Sequence, residues 1–139
     1  NVRNGGGPFG AVIVKDGKVL ATGVNRVTAN NDPTAHAEVS AIRAACKKLK
    51  TFDLSGSVIY TSCEPCPMCL GSIYWARISH VYCGCNQQDA DKIGFSDRFI
   101  CQELEKPMKD RELQQTFILH DEALQAFREW EEKEDKVEY

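Results

Sequence analysis

Ser57-Val58-Ile59-Tyr60-Thr61-Ser62-Cys63-Glu64-Pro65-Cys66-Pro67-Met68-Cys69 is the stretch that decides the fold. Ser57 to Thr61 is apolar and β-branched, as a buried strand requires, and Pro67 stands where a helix accepts proline in its first turn. Met68, Leu70, Ile73 and Tyr74 continue a helical pattern to about Arg77, and a further strand is expected near His80 to Cys83. Upstream, Ala11 to Val14 and Lys18 to Val24 flank Lys15-Asp16-Gly17, a hairpin signal because glycine tolerates positive φ. Asp32-Pro33 then reads as a cap and first turn, with a helix over 33–49. Val39, Ile42, Cys46 and Leu49 share one face of it, and Lys47, Lys48 and Lys50 suit the negative end of its dipole. Strand, helix, strand, helix, strand implies right-handed crossovers and an α/β fold on a mixed, partly parallel sheet. Beyond Gly84 the pattern is mixed: Gly94-Phe95-Ser96-Asp97 reads as a loop and Thr116 to Leu119 as a short strand. From Asp121 onward Ala123, Phe127 and Trp130 keep helical spacing, ending in a solvated charged stretch.

The 139 residues suit one domain, which at this length buries about two thirds of its unfolded surface without disulfides. With 42% hydrophobic and 27% charged residues the chain is neither disordered nor built of spans of the roughly 20 apolar residues a membrane helix needs. A soluble protein is expected, with no membrane partner. Seventeen basic against 20 acidic residues give a net charge of −3, which argues against nucleic acid as a partner. The seven cysteines are odd in number and follow no secretory leader, which fits the reducing cytoplasm. Cys46, Cys83, Cys85 and Cys101 sit singly or in pairs among apolar residues and read as small hydrophobes.

The chemistry is concentrated in two segments, His36-Ala37-Glu38 and Pro65-Cys66-Pro67-Met68-Cys69, each expected at the start of a helix. Helix N-termini after the carboxyl ends of strands meet where open α/β sheets bind ligands. One imidazole and two thiolates suit zinc, and three protein ligands leave a position for a water whose pKa the metal lowers from about 15.7 to about 7. Glu38, two residues past the imidazole, is placed to move protons between that water and a substrate. Taken singly, each feature has an ordinary explanation: a surface histidine, a carboxylate complementing a helix dipole, or a zinc knuckle or redox Cys-x-x-Cys. Their combination is what is specific. A ferredoxin-type cluster is disfavoured because Ile73 and Tyr74 stand where a fourth cysteine and a proline are needed. A closed site that adds Cys63 would be purely structural and would leave Glu38 without a role.

These residues resemble the H-x-E and P-C-x-x-C signature of the zinc-dependent cytidine deaminase superfamily. More narrowly, Gly6-Gly7-Pro8-Phe9-Gly10-Ala11-Val12, Asn31 to Val39, Thr61 to Cys69, Tyr74-Trp75-Ala76-Arg77, Gly94 to Asp97 and the final Glu138-Tyr139 resemble the small bacterial guanine deaminases. The resemblance implies a three-layer α/β/α deaminase fold as one domain over 1–139, with one zinc on His36, Cys66 and Cys69 and Glu38 as proton shuttle. It implies that Asn25 and the Ala37 N–H bind the purine, that Phe9 and Trp75 line the pocket, and that Asp97 accepts from guanine. It also implies a homodimer in which Tyr139 closes the partner's site. Members of this family usually carry a helix ahead of the Gly-Gly-Pro-Phe-Gly-Ala segment, of which this sequence shows only a few residues; either that helix precedes the sequence or it is absent, and if it is absent one sheet face is expected to lack its usual cover. Other enzymes of the class, acting on guanosine, cytosine or adenosine in tRNA, and a non-catalytic zinc-stabilised binding module are the alternatives.

Overall fold

Asp16 and Gly17 both take positive φ, 50° and 72°, the two-residue turn whose twist matches antiparallel strands. They join β1 (Gly10–Lys15) to β2 (Lys18–Val24). In the computed structural model, which describes residues 1–139, these strands form half of a four-stranded sheet ordered β2-β1-β3-β4. β3 (Ser57–Cys63) runs antiparallel to β1 and parallel to β4 (His80–Cys85). α3 (Pro67–Trp75) makes the crossover between those two parallel strands. The mixed α/β architecture expected from the sequence is the one observed.

The chain forms two compact units, residues 1–100 and residues 101–139. The core of the first joins Ala11 and Ile13 of β1, Ile59 of β3, Ala41 and Ala45 of α2 (Ala37–Leu49), and Ile73 of α3, so both helices cover the same sheet face. α2 lies unusually close to β2. A Cβ added to Gly23 would stand 2.1 Å from the Ala37 carbonyl oxygen and 2.5 Å from the Ala41 nitrogen. The absence of a side chain at Gly23 therefore sets the height of the N-terminus of α2 above the sheet. On the opposite face Tyr60 and Tyr82 stack with ring centroids 4.7 Å apart, each 46% exposed.

Several elements differ from the sequence expectation. α2 begins at Ala37, not at Pro33, because Asp32 serves a local turn: its Oδ1 accepts from the Thr34 N–H (2.8 Å) and the Thr34 hydroxyl (2.7 Å). Asp side chains compete for nearby backbone donors in this way. A short helix, α1 (Val27–Asn30), occupies the polar stretch before it. Downstream of β4, α4 (Gln87–Lys92) and α5 (Arg98–Glu105) flank the loop turned by Gly94 at φ 86°. Cys46 and Cys101 are half-buried, but Cys83 and Cys85 are exposed on the edge strand β4 rather than buried as small hydrophobes.

In the second unit Thr116 to Leu119 form no strand and lead directly into α6 (His120–Glu132). A β-prone segment with no neighbouring strand has nothing to pair with. Glu103 is the buried residue of this unit, ion-paired with Lys106 and accepting from the Glu112 N–H at 2.6 Å. No helix of the chain is long and apolar enough to cross a membrane.

Candidate active site

His36 and Cys66 occupy equivalent positions, each the N-cap of its helix with extended backbone: φ −69°, ψ 160° for His36 and φ −65°, ψ 167° for Cys66. Neither side chain caps its own helix, so both are available to meet across the gap between α2 and α3. Pro67 starts α3 without losing a hydrogen bond, and Cys69 returns to the same side one turn later. His36 Nδ1 lies 3.5 Å from Cys66 Sγ and 3.4 Å from Cys69 Sγ, and one ligand atom from each residue falls within 4.8 Å of the others. Zinc bonds of about 2.0 Å to nitrogen and about 2.3 Å to sulfur, at a tetrahedral angle, separate the two atoms by about 3.5 Å. The three residues present fit a zinc ion in both chemistry and spacing.

The two thiols are unequal. The neighbouring Cys69 holds the Cys66 thiol down to about 6, assisted by the His36 imidazole. Cys69 itself is pushed far above the ordinary thiol range by Cys66, by burial and by the Glu38 carboxylate. Metal binding requires both cysteines as thiolates, so a cation at this site displaces thiol protons. Glu38 is buried in the first turn of α2, and its Oε2 accepts from the Cys69 thiol at 3.4 Å. The cluster thus joins three ligands to one buried carboxylate.

The other expected residues fall into three groups. Ala37 is fully buried at the start of α2, where a backbone N–H has no partner inside the helix. Asn25 is buried just past β2; its N–H donates to the Phe9 carbonyl at 3.1 Å, and its side-chain Oδ1 accepts from the Val27 N–H at 3.3 Å. Phe9 meets Phe95 edge-on, centroids 5.1 Å apart, and half-buried Asp97 accepts from Gln87 Nε2 at 2.6 Å. Trp75 ends α3, nine residues beyond Cys66 and so about 13 Å along the axis, and is 68% exposed. Tyr139 belongs to the second unit and is 73% exposed. Gln87 was not singled out from the sequence, although Asn86-Gln87-Gln88-Asp89 carries the spacing of a capping box and so marks where α4 begins.

Residues 2–85 match the family described as the cytidine and deoxycytidylate deaminase zinc-binding region. The chain belongs to this family of zinc-binding deaminases. Over 134 residues it is 52% identical to a guanine deaminase of Bacillus subtilis, covering 96% of this chain and 86% of the relative. The crystal structure of a guanine deaminase from Bacillus subtilis aligns with a TM-score of 0.95 over 99% of this chain and 88% of that one. A solved guanine deaminase from Nitrosomonas europaea is more distant, with 35% identity and a TM-score of 0.68 over 70% of this chain and 58% of that one. A tRNA-specific adenosine deaminase from Agrobacterium fabrum is 42% identical over 95 residues, 68% of this chain and 62% of the relative.

Proposed function

We propose that this chain hydrolyses guanine to xanthine and ammonia. The observation that carries the reading is the near full-length likeness to a guanine deaminase, in a chain whose own fold gathers His36, Cys66, Cys69 and Glu38. His36, Cys66 and Cys69 hold one zinc per chain, which supplies the Lewis acid that activates water at neutral pH. Glu38 takes a proton from the attacking water as oxygen bonds to C2 of guanine, gives it to the adjacent ring nitrogen, and carries the next proton to the departing amine. Water and guanine are consumed; ammonia and xanthine result.

Recognition follows from donor and acceptor counts. Guanine presents its exocyclic amine and a ring N–H as neighbouring donors, and the Asp97 carboxylate supplies acceptors for them. Asn25 and the Ala37 N–H serve the remaining polar edge, while Phe9, with Phe95 against it, supports an aromatic wall. The enzyme acts as a homodimer in which the C-terminal tail, ending in Tyr139, closes the partner's pocket against water; the exposed apolar side chains of residues 101–139 support this. The odd number of cysteines, seven, supports a reducing, cytoplasmic setting.

The likeness to a tRNA-specific adenosine deaminase favours a second reading, deamination within RNA, but the net charge of −3 offers little to a phosphate backbone. Ammonia release from purified, zinc-loaded protein decides between them when guanine, guanosine, cytosine, adenosine and tRNA are compared. Guanine is expected to be turned over fastest. Preference for a nucleoside or for tRNA overturns the guanine assignment, and no release from any substrate restores the binding-module reading.

A further inference from the structure

Asp97 stands on a loop, yet its carboxylate is not free to turn. Oδ1 accepts the 2.6 Å hydrogen bond from Gln87 Nε2, and the Gln87 backbone N–H donates to Glu64 Oε2 at 3.2 Å. Gln87 opens α4, whose start is locked reciprocally: the Asp89 N–H donates to Asn86 Oδ1 at 3.0 Å and the Asn86 N–H to Asp89 Oδ2 at 3.1 Å. Glu64 is itself fixed, its N–H donating to the Cys85 carbonyl at 2.9 Å, and it lies two residues before the ligand Cys66. The far side of the loop is held by the Phe95 N–H on the Ala90 carbonyl at 3.0 Å and by the edge contact of Phe95 with Phe9. Arg98, the residue after Asp97, pairs instead with Asp91 at 2.6 Å.

We infer that Gln87 is a positioning residue for substrate choice: its amide N–H engages Oδ1 of Asp97 and so turns Oδ2 toward the purine donors, from a frame shared with the Cys66 loop. The inference rests on the assignment of Asp97 as the guanine acceptor. An amide suits this task because it donates without neutralising the carboxylate, whereas an ammonium or guanidinium would compete with the substrate for the same charge. Gln87 at the first position of a capped helix also has little backbone freedom to lose when substrate binds.

Two variants test it in the zinc-loaded full chain, with guanine as substrate. Gln87→Leu removes the donor at similar size and should raise KM about tenfold, the scale of one hydrogen bond to a charged group, with kcat changed less and zinc content and circular dichroism unchanged. Gln87→Glu suits the helix start but sets a carboxyl against Asp97. The ionisable groups around it are Asp97 and Glu64 in contact, Asp89 paired with Lys92 at 3.2 Å, and Asp91 paired with Arg98. Two carboxyls at hydrogen-bond distance share one proton, and the pair's second ionisation moves upward. At low pH the introduced carboxyl donates as the amide did and kcat/KM stays near the parent value. As pH rises through the raised ionisation, kcat/KM falls along a limb that the parent enzyme and Gln87→Leu lack. Absence of either effect overturns the inference. Asp97→Ala run alongside separates the two levels: if it processes guanine normally, the assignment of Asp97 fails and the inference with it; if it collapses while both Gln87 variants behave as the parent, the inference alone fails.

Discussion

Residues 1–100 and residues 101–139 place their apolar side chains in opposite ways. In the first unit Ile13, Leu54, Ile59 and Ala37, Ala41 and Ala45 of α2 are fully buried, and among its buried polar groups Asn25 and Glu38 sit at the end of a strand and the start of a helix. In the second, α6 buries no residue, and Phe117 and Ile118 are 83% and 73% exposed. A helix with an apolar stripe gains most of its stability by packing that stripe on another surface. The contrast teaches that the metal-binding cluster is a product of the first unit's own packing, whereas the second unit leaves much of its apolar surface exposed.

Breaking the first unit at its ligands should have the largest effect. Cys66→Ala should lose zinc and activity together, followed by elemental analysis and ammonia release; full turnover by metal-free protein would remove the metal from the reaction. Glu38→Gln should lower turnover by at least about 100-fold, the usual contribution of a general acid-base group, with zinc and thermal stability retained. A rate near that of the parent would reduce Glu38 to a partner of the helix dipole.

Packing comes next. Gly23→Ala forces a methyl against the Ala37 carbonyl and the Ala41 nitrogen and should cost about 1–3 kcal/mol, read as a lowered Tm. An unchanged Tm would show that α2 shifts freely over β2, contrary to the close approach at Gly23. The second unit is probed by deleting Val137 to Tyr139, which should raise KM for guanine several-fold without loss of zinc or helix content. If the shortened chain keeps the parent kinetics, the tail takes no part in closing a site.

The smallest effect expected is electrostatic. The Ser55 hydroxyl and N–H, with Arg77 at 2.9 Å, hold the Asp53 carboxyl down to about 2. A depressed carboxylate contributes stability that is present above its unfolded value, about 3.9, and is lost as pH falls toward 2. Asp53→Asn should therefore unfold slightly more readily at neutral pH, the gap from the parent closing between about pH 4 and 2 in acid titrations followed by circular dichroism. A gap independent of pH would assign the effect to packing. Because the pair is solvent-exposed, added salt should shrink the gap further.

Much of the site was legible because local chemistry leaves few choices. Asp16-Gly17 permits a tight hairpin, Pro67 permits a helix start, and a His-x-Glu with a Cys-x-x-Cys permits a mixed-ligand metal centre. Less was legible where two local solutions compete. Asp32 could cap a helix or close a turn on Thr34, and only the chain's path toward α2 chose the turn. Cys83 and Cys85 resemble core residues in composition, but β4 is the last strand of the sheet, and an edge position is not written in a strand's own sequence. Gln87 looked like any polar residue because its partner Asp97 lies ten positions away across a loop.

By itself the sequence determined the residue types of the reaction, the hairpin and the parallel crossover, since these depend on contacts within a few positions along the chain. Only the tertiary structure decided that His36 meets two cysteines at least 30 positions away at 3.4 and 3.5 Å, that Trp75 stands at the other end of α3, and that Asp97 is held by one oxygen. Those outcomes hang on how closely α2 and α3 approach the sheet, a distance set by the bare backbone at Gly23 and the small alanines facing it. Packing of that kind is a sum over residues remote in sequence, and no short stretch of the chain encodes it alone.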